Sequence, residues 1–200
     1  MQMKIVFATG NMGKLREAQG ILGEGFELVT PAQIGLLEDI PETGDTLQAN
    51  SLIKAKYIYD HTGCNCFADD TGLEVDALGG APGVHTARYA GESKDPGANM
   101  DRLLSELEGR TDRTARFRTS VTLIIGGETF FFDGVLEGHI ALSKSGGRGF
   151  GYDPVFIPER TASGPNTEGL TLAMLPDKEK NDISHRGKAM RAMAEFLKNR

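Results

Sequence analysis

The chain has 200 residues, 39% of them hydrophobic, with 22 Lys and Arg against 28 Asp and Glu for a formal net charge of -6. Apolar content at this length suffices for one full core, so residues 1–200 read as a single domain. The acidic balance offers no basic field for a nucleic-acid polymer, but it leaves room for a small nucleotide neutralised locally by a few lysines and a metal. No apolar run is long enough for a signal peptide or a membrane span, which predicts a cytoplasmic protein with no membrane partner.

Lys4 to Ala8 is a short apolar run that breaks at Thr9-Gly10-Asn11-Met12-Gly13, and Lys14 to Leu22 then reads as helix. Phe26 to Thr30 predicts a second strand. Thr46 to Tyr59 predicts a longer helix in which Asn50 and Lys54 share a polar stripe while Leu52, Ala55 and Tyr59 face the core. Cys64 to Ala68 reads as a strand ending at Asp69. Its two cysteines, Cys64 and Cys66, fall on one side of that strand and read as buried reduced thiols rather than a disulfide framework.

Gly79-Gly80-Ala81-Pro82-Gly83 marks a rigid loop, and Met100, Leu103, Leu104 and Leu107 then recur at helical spacing. From Ala115 to Leu136 the period becomes two. Phe117, Thr119, Val121, Leu123 and Ile125 alternate with Arg116, Arg118, Ser120 and Thr122, and Gly126-Gly127 supplies a hairpin turn before Glu128 to Phe132. A second glycine loop, Gly146 to Gly151, leads into a strand at Tyr152 to Phe156. A final helix starts near Ser184, with Met190, Met193, Ala194 and Leu197 inward. The order predicts an α/β fold, an elongated mixed sheet with flanking helices and two lobes around a central cleft.

Several segments carry chemistry. Thr9 to Lys14 joins backbone donors, a helix N-terminus and a lysine, which suits a phosphate group although the Walker spacing is absent. Asp69 and Asp70 are adjacent on an extended segment, so their side chains point to opposite sides and one of them faces a given ligand. Alone they would be an ordinary acidic turn. With Lys14, Glu42 and Lys54 available from other elements, and no His or Cys cluster of zinc spacing, they favour Mg²⁺, or Mn²⁺ in its place. Lys180 to Arg186 clusters donors at the start of the last helix. Phe150 and Tyr152 offer aromatic faces for a base and are as often found in cores.

Taken in order, Thr9-Gly-Asn-Met-Gly-Lys14, Glu42-Thr-Gly44, Asn50 with Lys54, Phe67-Ala-Asp-Asp-Thr-Gly-Leu73, Gly79 to Gly83, Ala87 to Gly91, Gly149-Phe-Gly-Tyr-Asp-Pro154 and Ser184-His-Arg-Gly187 resemble the inosine triphosphate pyrophosphatase, or Ham1-like, family over nearly the whole chain. The resemblance implies a homodimeric, Mg²⁺-dependent enzyme that cuts ITP, dITP or XTP between the α- and β-phosphates. The products would be the monophosphate and pyrophosphate. It implies Asp70 as proton acceptor and metal ligand, Glu42 as a second ligand and Thr71 as a substrate contact. Thr9, Gly10, Asn11, Met12, Gly13, Lys14 and Lys54 would hold the triphosphate, and Phe150, Gly151, Tyr152, Asp153, Lys180, His185 and Arg186 the base and its surroundings.

The family usually has Glu-Asn-Ala where this chain has Ala49-Asn50-Ser51, and Ala-Glu where it has Ala173-Met174. Two other readings compete with the purine enzyme. One is a Maf-like pyrophosphatase acting on modified pyrimidines, against which Ser184-His185-Arg186 argues. The other is a module that senses nucleotides without cutting them.

Overall fold

A computed structural model describes residues 2–38 and 40–200. Six strands form one mixed sheet in the order β2-β1-β3-β4-β5-β6: β1 Met3–Phe7, β2 Phe26–Val29, β3 Cys66–Val75, β4 Thr114–Ile125, β5 Glu128–Ile140 and β6 Phe156–Pro158. Strand β1 pairs parallel with β2 and β3, whereas β5 and β6 are antiparallel. The helices are α1 Met12–Leu22, α2 Leu47–Thr62, α3 Pro96–Glu106, α4 Asp177–Ile183 and α5 His185–Lys198, and a small two-stranded ribbon joins β7 Arg160–Thr161 to β8 Gly164–Pro165. The expected mixed α/β sheet with flanking helices is present.

The chain divides into two compact units. The first comprises Met1–Asp70, Thr119–Gly134 and Arg186–Arg200, and the second Thr71–Arg118 and Val135–His185. In the first unit the sheet is covered on both faces. Ile5, Phe7 and Phe67 point with Val121, Leu123 and Ile125 towards α1 and α5, where Leu15, Ala18, Met190 and Met193 complete the core. Val6, Cys66, Ala68 and Ile124 point the other way, against Ala55 and Ile58 of α2. The period of two thus assigns each residue of β1 and β3 to one helix layer or the other. Phe7 and Phe67 stack with ring centroids 4.3 Å apart.

The second unit has its own core, in which Leu73, Val75, Ala115, Phe117, Leu136 and Ile140 from the strands pack with Met100 and Leu103 of α3 and with Tyr152, Val155 and Phe156. Arg113 fastens this unit by donating from Nε to the Ile140 carbonyl and from its two terminal nitrogens to those of Leu107 and Ala141.

Several details differ from the sequence expectations. Strand β3 does not end at Asp69 but runs through the acidic pair to Val75. In β4 the alternation holds for Ala115 to Arg118, after which both sides are buried, because helices cover both faces of the sheet there. The buried stripe of α2 is Leu47, Asn50, Ser51, Ala55 and Ile58, with Leu52 and Tyr59 only half-buried. Ser51 and Thr122 hydroxyls, 2.7 Å apart, satisfy each other inside it. Strand β5 extends to Ile140, well beyond Phe132. Gly126 and Gly127, with φ of +59° and +84°, make the hairpin turn before it. A 3-10 turn at Asp153–Val155 precedes β6. The last helix starts at His185, as the sequence reading has it, and a separate helix α4, which that reading did not include, ends before the extended Ser184.

Cys64 also departs from expectation. It lies outside β3 and is exposed, whereas Cys66 is fully buried, its thiol 3.2 Å from the Ala55 carbonyl and pushed up to about 12 by burial. Since thiolate is the reactive form, Cys64 should titrate promptly with a thiol reagent such as DTNB. Cys66 should react only after unfolding in guanidinium, so the native protein should consume one equivalent of reagent and the denatured protein two.

Candidate functional site

Asp69 and Asp70 follow Ala68 on β3, and the strand period separates their fates. Asp69 shares the face of Phe67, towards α1 and α5; Asp70 shares the face of Ala68, towards α2. Asp69 is 1% exposed, and Lys14 of α1 donates to both its carboxylate oxygens, at 3.0 and 2.8 Å, while Arg186 Nε of α5 reaches Oδ2 at 3.2 Å. Arg186 also pairs with Glu17 at 3.5 Å. Burial by itself would raise the Asp69 carboxyl. The charges of Lys14 and Arg186, the Lys14 hydrogen bonds and the charge of Lys54 overturn that effect and hold it well below the usual carboxylate range.

On the other face, Lys54 Nζ lies 2.6 Å from Glu42 Oε1 and 3.7 Å from Asp70 Oδ1, and donates to the Asp69 carbonyl at 2.8 Å. Burial pushes the Asp70 carboxyl upward, the Lys54 charge opposes this, and the neighbouring Glu42 charge adds to it; the net displacement is upward. A carboxylate more basic than an ordinary aspartate is a better proton acceptor near neutrality. The donor set also suits a hard cation. Among the described residues no group of three or more His, Cys, Asp or Glu forms a cage, but Mg²⁺ takes only one or two protein carboxylates together with phosphate oxygens, and Glu42 with Asp70 supplies two.

The Thr9 to Lys14 segment turns from β1 into α1. Asn11 is its N-cap, with Oδ1 accepting from the backbone of Gly13 at 2.8 Å and Lys14 at 3.2 Å, while its own N–H donates to Thr9 Oγ1 at 3.1 Å. Those amides are therefore already paired within the loop, so the loop presents an ordered helix start rather than a row of vacant donors. Met12 is half exposed. Thr9, Gly10 and Met12, together with Lys54, Tyr57 and apolar side chains such as Leu36 and Ile40, line a cavity of about 370 Å³ within the first unit.

The residues assigned to the base lie mainly in the second unit and play unequal parts. Phe150 is 72% exposed, and Lys180 Nζ sits 5.5 Å from the centre of its ring. Tyr152, in contrast, is buried in the core with its hydroxyl donating to the Thr86 carbonyl at 2.9 Å, so it offers no face for stacking. Asp153 is buried too; Oδ2 accepts from the Phe150 N–H at 3.0 Å and from Lys180 Nζ at 3.1 Å, closing the turn that exposes Phe150. Gly149, at φ of +81°, lies so close that a Cβ there would stand 2.1 Å from Asp153 Oδ2. His185 stacks on Phe117 at 4.9 Å. Lys180 belongs to the last turn of α4, not to the N-terminus of the final helix; His185 and Arg186 open α5, and consecutive in sequence they fall in different units. Thr71 is half-buried on β3, beside Asp70.

The two positions at which the resemblance leads one to expect a carboxylate have separate settings. Ala49 sits three residues after the N-cap Thr46, whose hydroxyl accepts from its N–H at 3.0 Å; a glutamate there would complete a capping box. Met174 is exposed in the segment after β8.

The third strand of this mixed sheet carries two oppositely facing aspartates, each met by a lysine from a different helix, and the chain belongs to the Ham1 family, whose sequence profile matches residues 5–196. It is 46% identical to the dITP/XTP pyrophosphatase of Flavobacterium psychrophilum, over 98% of this chain and 100% of that one, and 48% identical to the dITP/XTP pyrophosphatase of Christiangramia forsetii, over 98% and 99%. The structure of a HAM1 protein from Coxiella burnetii superposes with a TM-score of 0.91 at 35% identity, covering both chains completely.

Removing the Asp69 carboxylate leaves two part-buried cations facing one another. Asp69→Ala should lose about 3 kcal/mol of stability, at the low end for breaking a buried ion pair because the Lys14 side chain is 25% exposed, as read from the urea midpoint. The depressed carboxyl fixes the sign of the pH dependence. The stabilisation it supplies is complete above the unfolded value near 3.9 and is lost as pH falls further towards the folded one. Wild-type urea midpoints should therefore fall below about pH 4 more steeply than those of the variant.

Proposed function

We propose that this chain hydrolyses non-canonical purine nucleoside triphosphates, dITP, XTP and ITP, to the monophosphate and pyrophosphate, and so clears damaged precursors from the nucleotide pool. The observation that carries this reading is the placing of Lys54 between Glu42 and Asp70, beside the Lys14–Asp69–Arg186 cluster, in a member of the Ham1 family. Lysines next to carboxylates provide both signs of charge needed to hold a triphosphate and to accept a proton from water.

In this reading Asp70 takes the proton of the attacking water, whose oxygen bonds to the α-phosphorus as the bond to the β-phosphate bridging oxygen breaks. Lys14 and Lys54 neutralise the phosphates, and the ordered Thr9 to Lys14 turn positions them. Glu42 and Asp70 would hold Mg²⁺, which when bound supplies charge neutralisation on the phosphate oxygens. Thr71 contacts the substrate next to Asp70. Phe150 stacks on the base, with Lys180 and Asp153 fixing the turn that presents it, and His185 reads the 6-keto oxygen. Arg186 acts through Asp69. A site that spends a donor on the 6-keto group rejects a 6-amino base by roughly 10⁴-fold, because the buried donor is left unpaired. The working form in this reading is a cytoplasmic homodimer.

³¹P NMR of products from ITP, dITP, XTP and ATP with Mg²⁺ tests the reaction and the base together. Pyrophosphate should appear from the first three and not from ATP. Release of orthophosphate, or equal turnover of ATP, would overturn the reading. Asp70→Asn should abolish detectable hydrolysis while calorimetry still registers nucleotide binding; near-normal turnover would remove Asp70 from the mechanism.

A further inference from the structure

Asn50 stands where the sequence pattern places a polar stripe, yet it is 2% exposed. Its Oδ1 accepts from the Gly44 N–H at 2.7 Å, and its side chain is one of the neighbours that favour the ionised form of the Asp70 carboxyl. The oxygen is engaged by Gly44, so only the amide nitrogen is left to favour a carboxylate ion, which can only accept. The oxygen's partner lies two residues beyond Glu42. There is no spare room in this junction, since a Cβ on Gly44 would stand 2.7 Å from Ala49 Cβ, 2.9 Å from Asn50 Oδ1 and 3.0 Å from the Asn50 nitrogen. One buried amide therefore joins the loop that carries Glu42 to the strand that carries Asp70, and Lys54, one turn further along α2, bonds to Glu42 and approaches Asp70 from the same side.

We infer that Asn50 is a positioning residue, which sets the separation of the Glu42 and Asp70 carboxylates by holding Gly44 with its amide oxygen and Asp70 with its amide nitrogen. Gly44 is the second part of the device, because it alone lets the loop approach the first turn of α2 so closely. The inference deepens the proposed function and rests on it for the role of the two carboxylates. Partners that orient ligating side chains typically contribute 10- to 100-fold in metal affinity or activity, and a buried amide with both ends engaged is well suited to that task.

Mn²⁺ binding to the nucleotide-free protein, followed by electron paramagnetic resonance of the free ion, measures this arrangement without turnover. Asn50→Ala should weaken Mn²⁺ about 10- to 100-fold and raise the Mg²⁺ half-saturation of ITP hydrolysis in parallel, with kcat falling and the KM for the nucleotide little changed. Gly44→Ala, which leaves Asn50 in place and displaces the loop, should lower Mn²⁺ affinity in the same direction and keeps the inference testable if Asn50→Ala fails to fold. Variants that lose thermal stability but bind Mn²⁺ as the wild type does would overturn the positioning role. Wild-type protein that releases no pyrophosphate from ITP would instead remove the proposed function, and the Mn²⁺ titration would still decide whether Asn50 organises the carboxylates.

Discussion

The buried carboxylate of Asp69 is the group around which the first unit is organised. A charge that is 1% exposed is tolerable only if paired, and its partners come from two helices far apart in sequence, Lys14 from α1 and Arg186 from α5. The pairing fixes where both helices meet the end of β1 and the middle of β3. It also leaves Lys14 and Arg186 held beside the acidic pair rather than dispersed in solvent. Apolar packing of Phe67 with Met190 and Met193 would hold the same helices, but it would not specify their placement along the strand as sharply as two ion pairs to one carboxylate.

The strand period then does the chemical sorting. Adjacent aspartates would repel one another and compete for cations if they shared a side. On β3 they do not: Asp69 is neutralised towards α1 and α5, while Asp70 faces α2, where a single lysine serves it and Glu42 together. Burial raises both carboxyls, and their net displacements are opposite because Asp69 is overwhelmed by cations whereas Asp70 is insufficiently compensated. The outcome is one acid held ionised as part of the framework and one whose carboxyl is raised above the ordinary aspartate value.

Much of this was legible in the sequence. Short apolar runs broken by glycine gave the strand-loop-helix start, period two gave the long hairpin, and the adjacency of two aspartates in an extended segment was enough to assign them to opposite faces. What escaped was what depends on partners distant in sequence. Asn50 and Tyr152 are polar or amphipathic residues at positions that periodicity leaves to solvent or ligand, and they are buried because Gly44, Asp70 and the Thr86 carbonyl happen to satisfy them. The continuation of β3 past Asp69 was hidden for the same reason, since charges in a strand look like its end until their counter-ions are known. Cys64 failed the other way: an apolar flavour and even spacing suggested burial, but the strand begins only at Cys66. The separation of α4 from α5 turns on one extended residue, Ser184, which doubles as a plausible cap in any linear reading.

The separation of 117 positions between Asp69 and Arg186 has a consequence for the order in which the molecule is made. A ribosome releases β1, α1 and β3 long before α5, so until that helix leaves the exit tunnel the emerging chain holds an aspartate whose carboxylate has Lys14 but not yet Arg186 as an ion-pair partner. Interrupted translation upstream of Arg186 thus yields a polypeptide whose central acid is under-neutralised and whose sheet lacks a covering layer.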